Sequence, residues 1–226
     1  MTGRDKQNWL RMWRNDQTDF HQQAVNPLLM RFWESLSLKR PSRIFVPLCG
    51  KSLDLLWLAE QGHEVVGVEL SPVAVKAFFD ENGLTPSVYR RKNYSVWEHG
   101  RMKILCGDFF TLEPMDLGTI DVVYDRAALT ALPEQVRTQY AAHMRVIVPE
   151  ECRIFLLTIE DRSEESETSL PSGTCEVVDE EIKALYAPHF EIQIAHSEAA
   201  WESDPANPGS PVIAVSHKVY RLRPRT

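Results

Sequence analysis

Short unbroken apolar runs recur along this chain, each closed by a turn residue or by a change of period. Such runs read as strands buried on both faces, because a strand exposed on one side would alternate. Seven are predicted, at 43–48, 64–70, 102–107, 120–125, 153–159, 190–196 and 212–222. Most gaps between them switch to helical spacing, as 53–59 does after the first run. Ser71-Pro72 offers a capping hydroxyl and a proline at the first helical position, and Gly83 stops the helix that carries Phe78 and Phe79. Pro133-Glu134 opens another helix, running to Ile147 before Pro149 forbids continuation. Strands alternating with helices predict an α/β fold with a mostly parallel sheet and helices on both faces. The last two runs depart from that alternation. Between them, 201–211 holds three prolines, Asn207 and Gly209, a loop that favours an antiparallel last strand over a helical crossover. The acidic run 160–167 reads as a solvated loop, and no internal repeat or low-complexity tract is visible.

Residues 43–70 carry the clearest chemistry, as strand, glycine turn, helix, strand and then an acid. Glu69 follows Gly50 by nineteen residues. In a doubly wound sheet, an acid ~20 residues past the glycine turn stands at the tip of the second strand, where its two oxygens can accept both hydroxyls of a ribose. Two phosphate-binding motifs fail against the letters. A GxxxxGK[ST] loop would need glycine where Phe45 stands, and GxGxxG needs three glycines where this turn has Gly50 alone. S-adenosylmethionine has a ribose but no pyrophosphate, so it fits the acid without the full set of glycines. The competing account is an ordinary strand-helix-strand unit in which Glu69 merely ends a strand.

With 226 residues, 43% hydrophobic and 25% charged, the chain suits one packed domain. A net charge of −7 argues against nucleic acid or an anionic membrane as partner and leaves a small molecule, with a monomer as the default. Cys49, Cys106, Cys152 and Cys175 are widely spaced without a CxxC pair, so reduced thiols are expected rather than a disulfide framework or a metal site. No apolar window approaches a ~20-residue span and no export signal is visible, so a cytoplasmic protein is expected.

The strings VPLCGKS, GHEVVGVELS, VVYDRAALTALP and WLRMWRNDQTDFH resemble those of thiopurine S-methyltransferases. That resemblance implies a Rossmann-like class I methyltransferase fold, with residues 1–40 as a helical lid segment and 41–226 as the core. It implies S-adenosylmethionine as methyl donor, S-adenosylhomocysteine as product, and a heteroaromatic thiol or a selenium or tellurium species as acceptor. By resemblance Leu48 and Glu69 contact the cofactor, Asp108 and Phe109 meet its adenine, Trp9 touches it, and Phe20 stands at the acceptor mouth. Gly50 permits close backbone approach. Trp13 shares the helical face of Trp9 and is counted on the cofactor side, although packing against the sheet accounts for it as well. His21 is a candidate for influencing a proton or for a structural hydrogen bond.

Arg126, at the end of the fourth predicted strand, is the expected link between cofactor and acceptor. Sulfur attacks as thiolate, and a guanidinium that never loses its proton favours that form. The competing account pairs Arg126 only with Asp125 or another strand-end carboxylate. Some family members add a second basic residue in the late loop, but 201–211 contains no Lys or Arg. Two other functions stand beside the enzyme: a silent protein that binds the cofactor, and a nicotinamide-dependent dehydrogenase, which the missing glycines disfavour.

Overall fold

The computed structural model describes residues 2–18, 20–161, 179–202 and 213–225. From the amino terminus, α1 (Gly3–Arg14), α2 (Pro27–Phe32) and a 3-10 turn (Trp33–Leu36) lead into β1 (Arg43–Val46), α3 (Asp54–Glu60), β2 (Glu64–Glu69) and α4 (Pro72–Glu81). β3 (Ser87–Arg91), β4 (Tyr94–His99) and β5 (Met102–Cys106) follow, then a second 3-10 turn (Phe109–Thr111) and α5 (Pro114–Leu117). The chain ends with β6 (Val122–Arg126), α6 (Glu134–Ile147), β7 (Arg153–Asp161), α7 (Glu180–Tyr186), β8 (Phe190–Glu202) and β9 (Ile213–Pro224). The helix starts follow the sequence cues: the Ser71 hydroxyl accepts from Ala74 N with Pro72 behind it, and Pro133 precedes α6.

All the strands form one sheet in the order β3-β4-β5-β2-β1-β6-β7-β9-β8. Its centre, β5-β2-β1-β6-β7, is parallel. β9 inserts antiparallel between β7 and β8, as the proline-rich 201–211 suggested, although 203–211 itself lies outside the described residues. So do Cys175 and most of the acidic run, whose first residues, Glu160 and Asp161, end β7.

The strand count is corrected from seven to nine among the described residues. β3 and β4 form an antiparallel hairpin on the edge beside β5. They escape a search for buried runs because β3 is exposed throughout and ends in Arg90-Arg91, the charged dress of an edge strand. Lys92, at φ 44°, makes the turn between them without a glycine.

Period-two alternation sorts the core onto both faces. Phe45, Val66, Ile154 and Leu156 pack with Leu117 of α5, Tyr140 and Met144 of α6, and Tyr186 of α7. Their neighbours Ile44, Val46, Val65 and Phe155 pack on the other face with Leu29 of α2, Trp33, Leu55 of α3 and Phe78 of α4. Among the described residues no helix is long and apolar enough to cross a membrane.

Gly67, in the middle of β2, shows how tightly the second face is filled. A Cβ there would meet Cys49 Sγ at 2.8 Å and Leu55 Cδ2 at 3.1 Å. Gly67→Ala is therefore expected to cost about 1–3 kcal/mol in urea denaturation, and adding Cys49→Ala should recover part of the loss.

Candidate active site at the strand ends

The chain runs outward from β1 through β2 towards β5 and then returns to β6 on the other flank of β1. This reversal opens a crevice outside the carboxyl ends of the strands, where open α/β sheets bind ligands. A cavity enclosing about 840 Å³, its open mouth included, lies there, on the scale of a small-molecule site.

One wall is the turn from β1 to α3. Cys49 N–H donates to Val68 O at 3.0 Å, which ties the turn to β2. Leu48 and Gly50 both take left-handed backbone, at φ 46° and 53°. For glycine this conformation carries no steric penalty, whereas at Leu48 it is local strain held by the surrounding structure. A Cβ on Gly50 would lie 3.1 Å from Trp13 Cζ2, so α1 rests directly on the glycine.

Glu69, 6% exposed, closes the turn from the β2 side. Its Oε2 accepts from Gly50 N–H at 2.9 Å and its Oε1 from Ser71 N–H at 2.7 Å. Burial pushes the carboxyl pKa up, and the backbone donors at Ser71, Gly50 and Leu70 oppose the rise. The hydrogen bonds from Gly50 and Ser71 take one acceptor direction on each oxygen.

Consecutive residues of β6 point to opposite faces, and that separates Asp125 from Arg126. Asp125 turns inward: its Oδ1 accepts from Ala128 N–H and Leu129 N–H at 3.1 and 3.3 Å, and its Oδ2 from the Tyr140 hydroxyl at 2.7 Å. Arg126 lines the cavity and pairs through Nε with Asp54 Oδ2 at 3.3 Å. Its partner is thus the first residue of α3 and not the adjacent acid. Ala127, at φ 56°, begins the turn that brings Ala128, Ala131 and Leu132 to the cavity wall.

Aromatic rings form the outer wall. Phe20 stands edge-on to both Trp9 and Trp13, with centroids 5.5 Å apart in each case, and at 44% exposure it forms the rim. His21 also lines the cavity, with its pKa lowered first by burial and then by the charge of Lys51. Lys51, another lining residue, pairs with Glu81 of α4 at 2.8 Å.

The structure thus brings Trp9, Trp13, Phe20, Leu48, Gly50, Glu69 and Arg126 to one cavity. Asp108 and Phe109 do not line it. Asp108 follows β5, caps the second 3-10 turn through Phe110 N–H at 3.1 Å, and forms an ion pair with Lys6 of α1. Phe109, 2% exposed, packs against Tyr140 with centroids 4.8 Å apart. Lys51 and the Ala128, Ala131 and Leu132 wall escaped sequence reasoning. The i, i+3, i+4 spacing after Asp125-Arg126 was the available signal for that wall.

The sequence model of the family described as thiopurine S-methyltransferase (TPMT) matches residues 4–225. A thiopurine S-methyltransferase of Stutzerimonas stutzeri (strain A1501) is 56% identical over 222 residues, covering 98% of this chain and 92% of that protein. The fold is similar to that of a SAM-dependent methyltransferase from Anabaena variabilis, with a TM-score of 0.61 at 14% identity, covering 96% of this chain and 95% of that one. It is also similar to a Burkholderia thailandensis 1,6-didemethyltoxoflavin-N1-methyltransferase solved with S-adenosylhomocysteine, with a TM-score of 0.59 at 14% identity and coverages of 96% and 87%.

Burial raises the Asp125 pKa from 3.8 to about 6. Between those values the native state holds a proton that the unfolded chain has released, so this contribution to stability is complete at low pH and fades as pH rises through about 6. Urea denaturation over this range should show the difference between Asp125→Asn and the wild type moving in favour of the variant by about 3 kcal/mol, then levelling off above the folded pKa.

Proposed function

Because this chain belongs to the thiopurine S-methyltransferase family, it is an S-adenosylmethionine-dependent S-methyltransferase, and we propose that the cavity at the strand ends holds both the cofactor and the acceptor sulfur. The observation that carries this reading is that Glu69 and Arg126 open into the same cavity from the ends of β2 and β6, the two strands that flank β1. When bound, S-adenosylmethionine supplies an electrophilic methyl group on a positively charged sulfur and leaves as S-adenosylhomocysteine. The fit is supported by the position of the Glu69 carboxylate, which lines the cavity at the tip of β2, where its oxygens suit ribose hydroxyls. It is also supported by the Leu48–Gly50 turn, whose residues line the cavity and suit the amino-acid portion.

In this reading Asp108 and Phe109 form the adenine end, one strand beyond Glu69, with Asp108 exchanging Lys6 for the base. Trp9 and Trp13 cover the cofactor, and residues 1–40 act as a lid over the core 41–226. Phe20 grips a planar acceptor by its face. Arg126 favours the thiolate over the thiol, so that the attacking sulfur carries its reactive lone pair when it meets the methyl group. The acceptor is then a small thiol or metalloid compound and not a nucleic acid or membrane, in keeping with the net charge of −7. We read the enzyme as a cytoplasmic monomer.

Incubation with S-adenosylmethionine and 6-mercaptopurine should yield S-methylated product and S-adenosylhomocysteine together by mass spectrometry; formation of neither would count against a thiopurine acceptor. Glu69→Ala removes a charged hydrogen-bond acceptor and should weaken S-adenosylmethionine binding by about 1.5–3 kcal/mol in calorimetry, with an unchanged Kd excluding the ribose role. Arg126→Gln should leave that Kd near the wild-type value while turnover of the thiol falls ~100-fold.

A further inference from the structure

Asp54 is 1% exposed and lies behind the cavity wall, yet it is bound on several sides at once. Its Oδ2 pairs with Arg126 Nε at 3.3 Å and accepts from the Tyr124 hydroxyl at 2.8 Å. Its Oδ1 accepts from the backbone N–H of Asn26 at 2.8 Å. Asn26 is the N-cap of α2, shortly after Phe20 and His21 in the chain. One carboxylate therefore ties the end of β6, the start of α3 and the segment that carries the aromatic rim to a common point.

We infer that Asp54 is a positioning residue for methyl transfer: it holds the Arg126 guanidinium by its Nε edge and sets it in register with the Phe20 rim, leaving the terminal nitrogens for the acceptor. The inference rests on the role given to Arg126 above. Among the described residues, no hydrogen bond or ion pair engages those terminal nitrogens. A free arginine side chain has many rotamers, and a donor that must meet a developing bond loses effect when it wanders. Asp54 removes that freedom before the acceptor arrives. The Tyr124 hydroxyl, from the middle of β6, and the Asn26 N–H, from the N-cap of α2, fix Asp54 in turn.

Asp54→Asn tests this with little change of volume. The amide oxygen can still take the Asn26 N–H, but the neutral amide cannot form the ion pair with Arg126. The expected result is a kcat about 10-fold lower for 6-mercaptopurine, with the Kd for S-adenosylmethionine unchanged. Placed on Arg126→Gln, the same substitution should cause no further loss, because a residue that acts through Arg126 has nothing left to position. A wild-type kcat in Asp54→Asn, or an equal loss in both backgrounds, would overturn the inference. If Asp54→Asn fails to fold, Tyr124→Phe is decided by the same comparison. It should lower kcat about 3-fold in the wild-type background and not at all with Arg126→Gln, because only one of the bonds that fix Asp54 is removed. Wild-type turnover in Arg126→Gln alone would instead remove the reading of the site, and this inference with it.

Discussion

The two backbone hydrogen bonds accepted by the Glu69 carboxylate hold the active end of this molecule together. One fastens the glycine turn after β1 and the other fastens the start of α4, so a single buried side chain spans the crevice between two neighbouring crossovers. Without it, the left-handed turn at Leu48–Gly50, on which Trp13 rests, would keep only the Cys49 to Val68 hydrogen bond as its tie to β2. Burying an ionisable group costs free energy unless donors surround it. Here the donors are backbone N–H groups that also need partners, so satisfying the carboxylate and shaping the turn are one event.

The same economy appears on β6. The strand's alternation sends Asp125 towards α6 and Arg126 towards α3, so adjacent residues serve different networks. Asp125 organises the turn that carries the alanines of the cavity wall, while Arg126 is held from behind by Asp54. The cation and its counter-charge are both largely withdrawn from water, where their interaction is stronger than on a surface. That arrangement lets one arginine serve a mostly aromatic and apolar cavity. Lys51, the other lining cation, is neutralised by Glu81.

Much of this was legible from the order of residues. The first two strands, the glycine turn and Glu69 are close in sequence, and their spacing follows from the length of one strand-helix-strand unit. Helix starts at Ser71-Pro72 and Pro133 were readable because capping is local chemistry. The β3–β4 hairpin was not, because an exposed, charged edge strand has no buried run to announce it. Nor was the Asp54–Arg126 pair, whose members belong to elements far apart in the chain. Asp108 and Phe109 were legible as residues at a strand end, but not the Lys6 pairing of the first or the core packing of the second.

By itself, the sequence determined the parallel centre of the sheet, the acid at the second strand tip and the arginine at the fourth predicted strand end. Each of these depends on periodicity and spacing within a few tens of residues. Only the tertiary structure decided that Trp9, Phe20, Glu69 and Arg126 share one cavity and that Asp54, rather than Asp125, holds the arginine. Those facts depend on how the chain reverses at β1 and which faces the strands present, and such long-range closure is set by packing the two cores and not by any local pattern of residues.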